Sequence, residues 1–207
     1  MKAHYLALVT ALLGLSVSSF AAVDASSVKI KVYGVSVSLT ADCANPVTVF
    51  ESASGTEFDF VSGPTLGGGS PADGTYQCVM ITMSDVVKVT PSSDEGVCHA
   101  GVETSTEVCQ SSEATDTLGG TTFTHANCVT GADKVTLFLT TGSTRTNGGN
   151  AFIKPTSTSD PANGYKLAGA FTVAGSSTGT FVADFTGKVD GLGGPECGVN
   201  PPVFGFR

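Results

Sequence analysis

The chain has no tryptophan, four tyrosines and three histidines among 207 residues, and its ten lysines and arginines face eighteen aspartates and glutamates. Each shortage closes a class of function. A net charge of −8 with so few cations argues against nucleic acid as a partner, since phosphate binding needs clustered Lys and Arg. With no Trp and few Tyr to stack on sugar rings, a glycosidase-type cleft with paired carboxylates has no visible support. The motif C-x-x-C-H is absent, which excludes a multihaem conduit, and so is the D-x-D-x-D-G spacing of an EF-hand. No apolar run reaches the roughly 20 residues of a membrane-spanning helix, and no helical periodicity or internal repeat follows the first residues.

What is present begins with an export signature. Lys2, the apolar run Tyr5 to Val17 and the small-large-small ending Ser19-Phe20-Ala21 read as a signal peptide over residues 1–21. No cysteine stands at that cleavage point, as a lipoprotein would need, and no long apolar helix follows it, as in a type IV pilin. Residues 22–207 then form one domain, and losing Lys2 takes the charge to −9. Abundant Gly, Ser and Thr with a charged fraction of 14% fit a secreted β protein. The expected address is the periplasm, the cell surface or the extracellular space.

Six cysteines, Cys43, Cys78, Cys98, Cys109, Cys128 and Cys197, lie beyond the leader, and an even count in an exported chain points to three disulfides. Fifteen pairings are possible. The local pair Cys98 with Cys109 is the first expectation, because GVCHAGVETSTEVCQ reads as a looped-out segment; Cys43 with Cys78 and Cys128 with Cys197 follow by elimination.

Ser70-Pro71-Ala72-Asp73-Gly74 supplies turn residues, and Thr75 to Met83 follows with β-branched, aromatic and sulfur-bearing side chains on both faces. That is a central strand with Cys78 buried in it, running to Thr90, with a break near Ser84-Asp85 and a stop at Pro91. Val28 to Leu39 alternates with a phase that flips across Gly34, so a bulge belongs there. Val47 to Phe50, Glu57 to Val61, Thr121 to Thr124 and Asp133 to Thr140 read as strands, the last with Thr140 facing out, and Ala151 to Lys154 as an edge strand. Tyr165 to Ala174 and Thr178 to Val189 read as a hairpin, and Val203 to Phe206 as a final strand. Pro91 to Gly120 shows no pattern, carries six carboxylates and no Lys or Arg, and reads as an irregular, disulfide-pinned acidic insertion. The fold class is therefore all-β: an antiparallel β-sandwich, immunoglobulin- or transthyretin-like, with that loop inserted.

The turn feeding Gly74-Thr75-Tyr76 and the late segment Thr180 to Phe185 resemble those of bacterial exported β-sandwich domains of unknown function, which are thought to have a transthyretin-like fold. The resemblance implies a sandwich and brings no functional residue with it. The acidic insertion, with Cys98 and Cys109 in it and Cys128 just after, departs from that pattern.

Chemistry-bearing motifs are few. Gly175-Ser176-Ser177-Thr178-Gly179 matches G-x-S-x-G, but it joins two strand patterns and no histidine follows it, whereas the hydrolase motif sits between strand and helix. A zinc site from Cys98, His99, Cys109 and His125 competes poorly with disulfides in an oxidising compartment. Asp94, Glu95, Glu103 and Glu107 are candidates for weak Ca²⁺ binding, the one cofactor considered. The leading expectation is an exported, non-catalytic structural or interaction module with a protein partner or self-association. One alternative is a fibre subunit that donates Val28 to Leu39 to a neighbour's sheet, and another is a hydrolase with an unrecognised site.

Overall fold

The computed structural model describes residues 22–63, 71–108, 116–118, 121–123, 134–146, 150–175, 181–191 and 197–206. They are all-β, with no helix among them. In chain order the strands are β1 (Ala25–Ser38), β2 (Val47–Asp59), β3 (Gly74–Tyr76), β4 (Cys78–Pro91), β5 (Thr104–Glu107), β6 (Asp116–Leu118), β7 (Thr121–Phe123) and β8 (Val135–Thr140). They continue with β9 (Tyr165–Lys166), β10 (Phe171–Val173), β11 (Phe181–Asp184), β12 (Val189–Asp190), β13 (Gly198–Val199) and β14 (Val203–Phe206).

The main sheet has the order β2-β1-β4-β8-β9, antiparallel except for the parallel pair β8–β9. β4 is its spine, with β1 along one edge and two partners in succession along the other. β8 pairs with Cys78 to Met83, and β5 takes over from Val86 to Val89. The change of partner falls at Ser84-Asp85, the break expected from sequence.

Alternation decides which side of this sheet is dry. Val28, Val32, Val35 and Val37 are all buried although their sequence phase flips. The ladder shifts between Val32 and Gly34 on both neighbours, so an extra residue, Tyr33, restores the phase and keeps both apolar sets inward. Val79, Ile81, Met83, Val87 and Val89 of β4 and Leu137 and Leu139 of β8 join them in the core.

Three short two-stranded ladders, β3–β10, β11–β14 and β12–β13, contribute side chains to the same core. Phe181 stacks on Phe204 at 5.7 Å and meets Phe60 and Phe206 edge-on, Phe206 stacks on Phe171 at 4.5 Å, and Phe171 contacts Tyr76. The chain passes from the β3–β10 ladder into the main sheet at Gln77. Its N–H donates to Ser38 O and its carbonyl accepts from Thr141 N, while Tyr76 already belongs to the ladder with β10.

Two disulfides pin this arrangement. Cys43 bonds Cys78, as expected, and Cys78 is fully buried. The disulfide forms a small second core with Met80, backed by Phe138, on the other side of β4. The remaining pairings are corrected: Cys98 bonds Cys197, not Cys109, so Cys197 is not the partner of Cys128. Spacing favours the short loop, but Cys98 is fully buried in the main core and points at the C-terminal segment, 99 residues away. Cys109 and Cys128 lie outside the described residues.

Other expectations are also corrected. The hairpin of Tyr165–Ala174 with Thr178–Val189 does not form: β10 pairs with β3 and β11 with β14. A turn and two alternating runs locate strands but leave their partners open, and here the aromatic stack selects distant ones. The acidic segment is not irregular throughout, because β5 extends the main sheet and β6 pairs β7. Ala151 to Lys154 is a turn closed by the hydrogen bond from Ile153 N to Asn150 O. Val47 to Asp59 is one interrupted strand rather than two. Thr140 is fully buried, its hydroxyl donating to Ala41 O at 2.5 Å and accepting from Gly142 N. A threonine whose hydroxyl is satisfied twice tolerates a dry position that alternation assigns to solvent.

Candidate functional site

The outward side of the main sheet changes character along its length. Near Cys78 and Met80 it is covered; beyond them it becomes polar. Ser36 and Thr48 share a hydrogen bond at 3.3 Å across β1 and β2, and Thr82 and Thr136 share one at 3.2 Å across β4 and β8. Farther along come the cations. Lys29 pairs with Glu103 at 2.7 Å and Lys88 with Glu57 at 2.8 Å, each side chain more than a third exposed. The hydrogen bond that Lys29 donates to Glu103 holds the ammonium above its ordinary pKa and depresses the Glu103 carboxyl in return, and the bond donated to Glu57 raises Lys88 in the same way.

Between the hydroxyls and the ion pairs stands Tyr33. Two ammoniums converge on its ring, Lys134 Nζ at 4.0 Å from the centroid and Lys31 Nζ at 5.4 Å. Neither lysine makes an ion pair among the described residues.

Strand irregularities meet at this point. Glu51 pairs with Gly34 and Thr56 with Val32, so Ser52 to Gly55 are looped out opposite Tyr33. On the other side, Ile30 pairs with Val87 and Val32 with Met83, so β4 bulges at Ser84 to Val86 opposite Lys31. Gly55 adopts φ +74°, and a Cβ there would lie 2.7 Å from Lys31 Cε and 2.8 Å from Tyr33 Cε1. Only glycine serves, by conformation and by space. The loop thus presses on the ring from β2.

A second polar centre occupies the segment between β8 and β9. Asp160, 7% exposed, accepts from Thr156 N and Oγ1, each at 2.9 Å, from Ala162 N and Asn163 N, and from Asn163 Nδ2. These donors, the Thr156 backbone N–H first, pull its pKa down to about 2. Gly164 N reaches Asn150 O and Ile153 O, and Ser143 Oγ donates to Gly164 O. Tyr165 Oη lies 2.8 Å from Pro202 O and 3.0 Å from Thr146 O, and burial raises its pKa to about 12. Both carboxylate oxygens of Asp160 are engaged by the loop itself, so this centre shapes a loop and offers nothing to a ligand.

The structure does not gather the residues singled out as calcium candidates. Asp94 is exposed, accepts from Ala100 N at 2.8 Å and lies 3.8 Å from His99 Nδ1. Glu95 is buried in a tight turn whose backbone bonds twice to Cys98, with its Oε1 unpartnered. Glu103 belongs to Lys29, and Glu107 is exposed on β5. Among the described residues no group of three His, Cys, Asp or Glu could hold a metal ion. Of Gly175-Ser176-Ser177-Thr178-Gly179, only Gly175 is described, its N–H donating to Asp73 Oδ1. His125 and the residues of the expected signal peptide lie outside the described part, and of the proposed zinc set only Cys98 and His99 are described. Sequence reasoning missed Tyr33 with its two lysines, and Asp160. The first needs the β1–β4–β8 register to bring residues 33 and 134 together; the second left a trace in the polar run TSTSDPAN.

Comparison of the chain with known protein families, curated proteins and solved structures finds no match.

Proposed function

We propose that the chain is an exported, non-catalytic interaction module built as a β-sandwich of the transthyretin-like kind, and that it works through the outward face of its main sheet. The observation carrying this reading is the pair of disulfides, Cys43–Cys78 and Cys98–Cys197, both buried and both fastening the spine strand or the segment after it to distant parts of the chain. Such staples persist in oxidising compartments. The candidate chemistry supports the same reading, since Asp160, Tyr165 and Thr140 are engaged in holding loops.

Strand donation by β1 draws no support, because β1 is paired on both sides within its own sheet and supplies four fully or nearly fully buried valines. The test is expression with the native leader in a bacterial host, followed by fractionation and alkylation before and after reduction. We expect the protein outside the cytoplasm with no reactive thiol until reduction. Recovery in the cytoplasm with Cys43, Cys78, Cys98 and Cys197 alkylated in the native state would reject the reading.

A further inference from the structure

Taking the interaction-module reading as its basis, we propose that the spot formed by Lys31, Tyr33 and Lys134 docks an anionic polysaccharide, engaging its carboxylates with the two ammoniums. Two cations share one ring at this spot. Lys29 and Lys88 are neutralised in place by Glu103 and Glu57, whereas Lys31 and Lys134 rest on the aromatic ring of Tyr33 and make no ion pair among the described residues, Glu57 opposite Lys31 in the ladder being taken by Lys88. A cation held over a ring is stabilised more weakly than one paired with a carboxylate, so an arriving anion has two donors to recruit. The chain as a whole carries −8, so an anionic polymer binds only where cations are gathered, as they are here.

Backbone irregularity supplies an independent observation. Both neighbours of β1 bulge beside Lys31 and Tyr33, at Ser52–Gly55 and at Ser84–Val86, and these are larger than the one-residue shifts at Val35/Ser36 and Ala25/Ser27. Bulges of this kind re-aim side chains and persist where a side chain has work to do at the surface. Tyr33 is itself the extra residue of β1 against β4 and faces the Ser52–Gly55 loop of β2, which leaves it without a cross-strand partner in either ladder.

The surroundings choose a sugar over an acidic peptide. Alongside the cations run the hydroxyl pairs Ser36–Thr48 and Thr82–Thr136, and the looped-out segment adds Ser52, whose hydroxyl accepts from Thr56 at 3.3 Å. Hydroxyls and one amphipathic ring on a sheet face match a flat, hydroxyl-rich polymer. Nothing there resembles pockets for peptide side chains. Affinity comes from charge, not from the ring stacking that the shortage of tryptophan rules out.

The test is native gel electrophoresis of the oxidised protein through gels containing polygalacturonate, with dextran and poly-L-glutamate gels alongside. We expect retardation by polygalacturonate that falls steeply as NaCl rises from about 50 to about 300 mM, and none by dextran. Lys31→Gln with Lys134→Gln should weaken binding about tenfold or more, in line with loss of two charge contacts. Lys188→Gln, in the turn before β12 and outside the main sheet, should leave it unchanged. Equal retardation of the double variant, at an unchanged melting temperature, overturns the proposal. So does retardation by poly-L-glutamate as strong as by polygalacturonate, which would assign the face to an acidic peptide. Absence of any retardation overturns the docking site alone, whereas release of reducing ends from the polymer would overturn the non-catalytic reading itself.

Discussion

Lys29 and Lys88 stand directly opposite each other on adjacent strands, two like charges in one cross-strand pair. Such a pair is unfavourable by itself. It is tolerated because Glu57 from β2 and Glu103 from the segment before β5 close on the two ammoniums from opposite sides, so that the two cations are flanked by two carboxylates. Removing either carboxylate restores the repulsion. Glu57→Gln and Glu103→Gln should each lower the melting temperature slightly, by about 1–3 °C given the small worth of exposed pairs. Combined, the two should lower it more than additively, and added salt should recover part of the loss. Calorimetry at low and high ionic strength checks this.

Asp160 predicts a pH dependence. Its folded pKa, about 2, lies below the ordinary 3.8, so its contribution is complete above pH 3.8 and is lost as pH falls toward 2. Asp160→Ala removes five hydrogen bonds to a buried carboxylate and should cost roughly 2–4 kcal/mol near pH 7. The stability gap between wild type and variant should stay constant from neutral pH down to about 5 and then close between about 4 and 2. Urea melts at stepped pH values would measure the gap, and one that persists at pH 2 contradicts the assignment.

The disulfides give a prediction of position and of size. Non-reducing digestion should yield Cys43 linked to Cys78 and Cys98 linked to Cys197, with no peptide joining Cys98 to Cys109. Loop closure over separations of 35 and 99 residues corresponds to roughly 4 and roughly 5 kcal/mol in the chain-entropy treatment. Cys98→Ser with Cys197→Ser should therefore destabilise at least as much as Cys43→Ser with Cys78→Ser in denaturant titrations.

Gly55 separates backbone from charge. Gly55→Ala meets both a left-handed φ and the Tyr33 ring, and should cost about 1–2 kcal/mol. The substitution leaves every ionisable group in place. If the Ser52–Gly55 loop positions Tyr33 and its lysines, polygalacturonate binding falls too; binding at full strength with a lowered melting temperature would make the loop purely structural.

The strands are largely legible in the sequence, because alternation and turn chemistry are local. The phase flip at Gly34, the break at Ser84-Asp85, the closing strand Val203 to Phe206 and the burial of Cys78 all rest on short windows of residues. Partnership is not legible. Phe171 and Phe181 read as two arms of a hairpin, yet each is claimed by a strand far away in the chain, because aromatic stacking across the core outweighs proximity in sequence. The partner of Cys98 is hidden for the same reason. The candidate site is the extreme case, since a cation and a ring separated by about a hundred positions carry no joint signal, and the bulges that aim them are set by three strands together. Asp160 is invisible differently: its neighbours are ordinary loop residues, and only the folded loop turns their N–H groups toward one carboxylate.

The segment from Cys197 to Phe206 has a temporal consequence. Phe204 and Phe206 sit at the centre of the aromatic stack, and Cys197 holds the segment after β4, so these residues complete both the core and the longer staple. A growing chain lacks all of this until they have been synthesised. The polypeptide therefore emerges from the ribosome without a finished interior, which suits the threading that the proposed export requires, and removing the strand Val203–Phe206 would take Phe204 and Phe206 out of the aromatic stack and leave β11 without its partner.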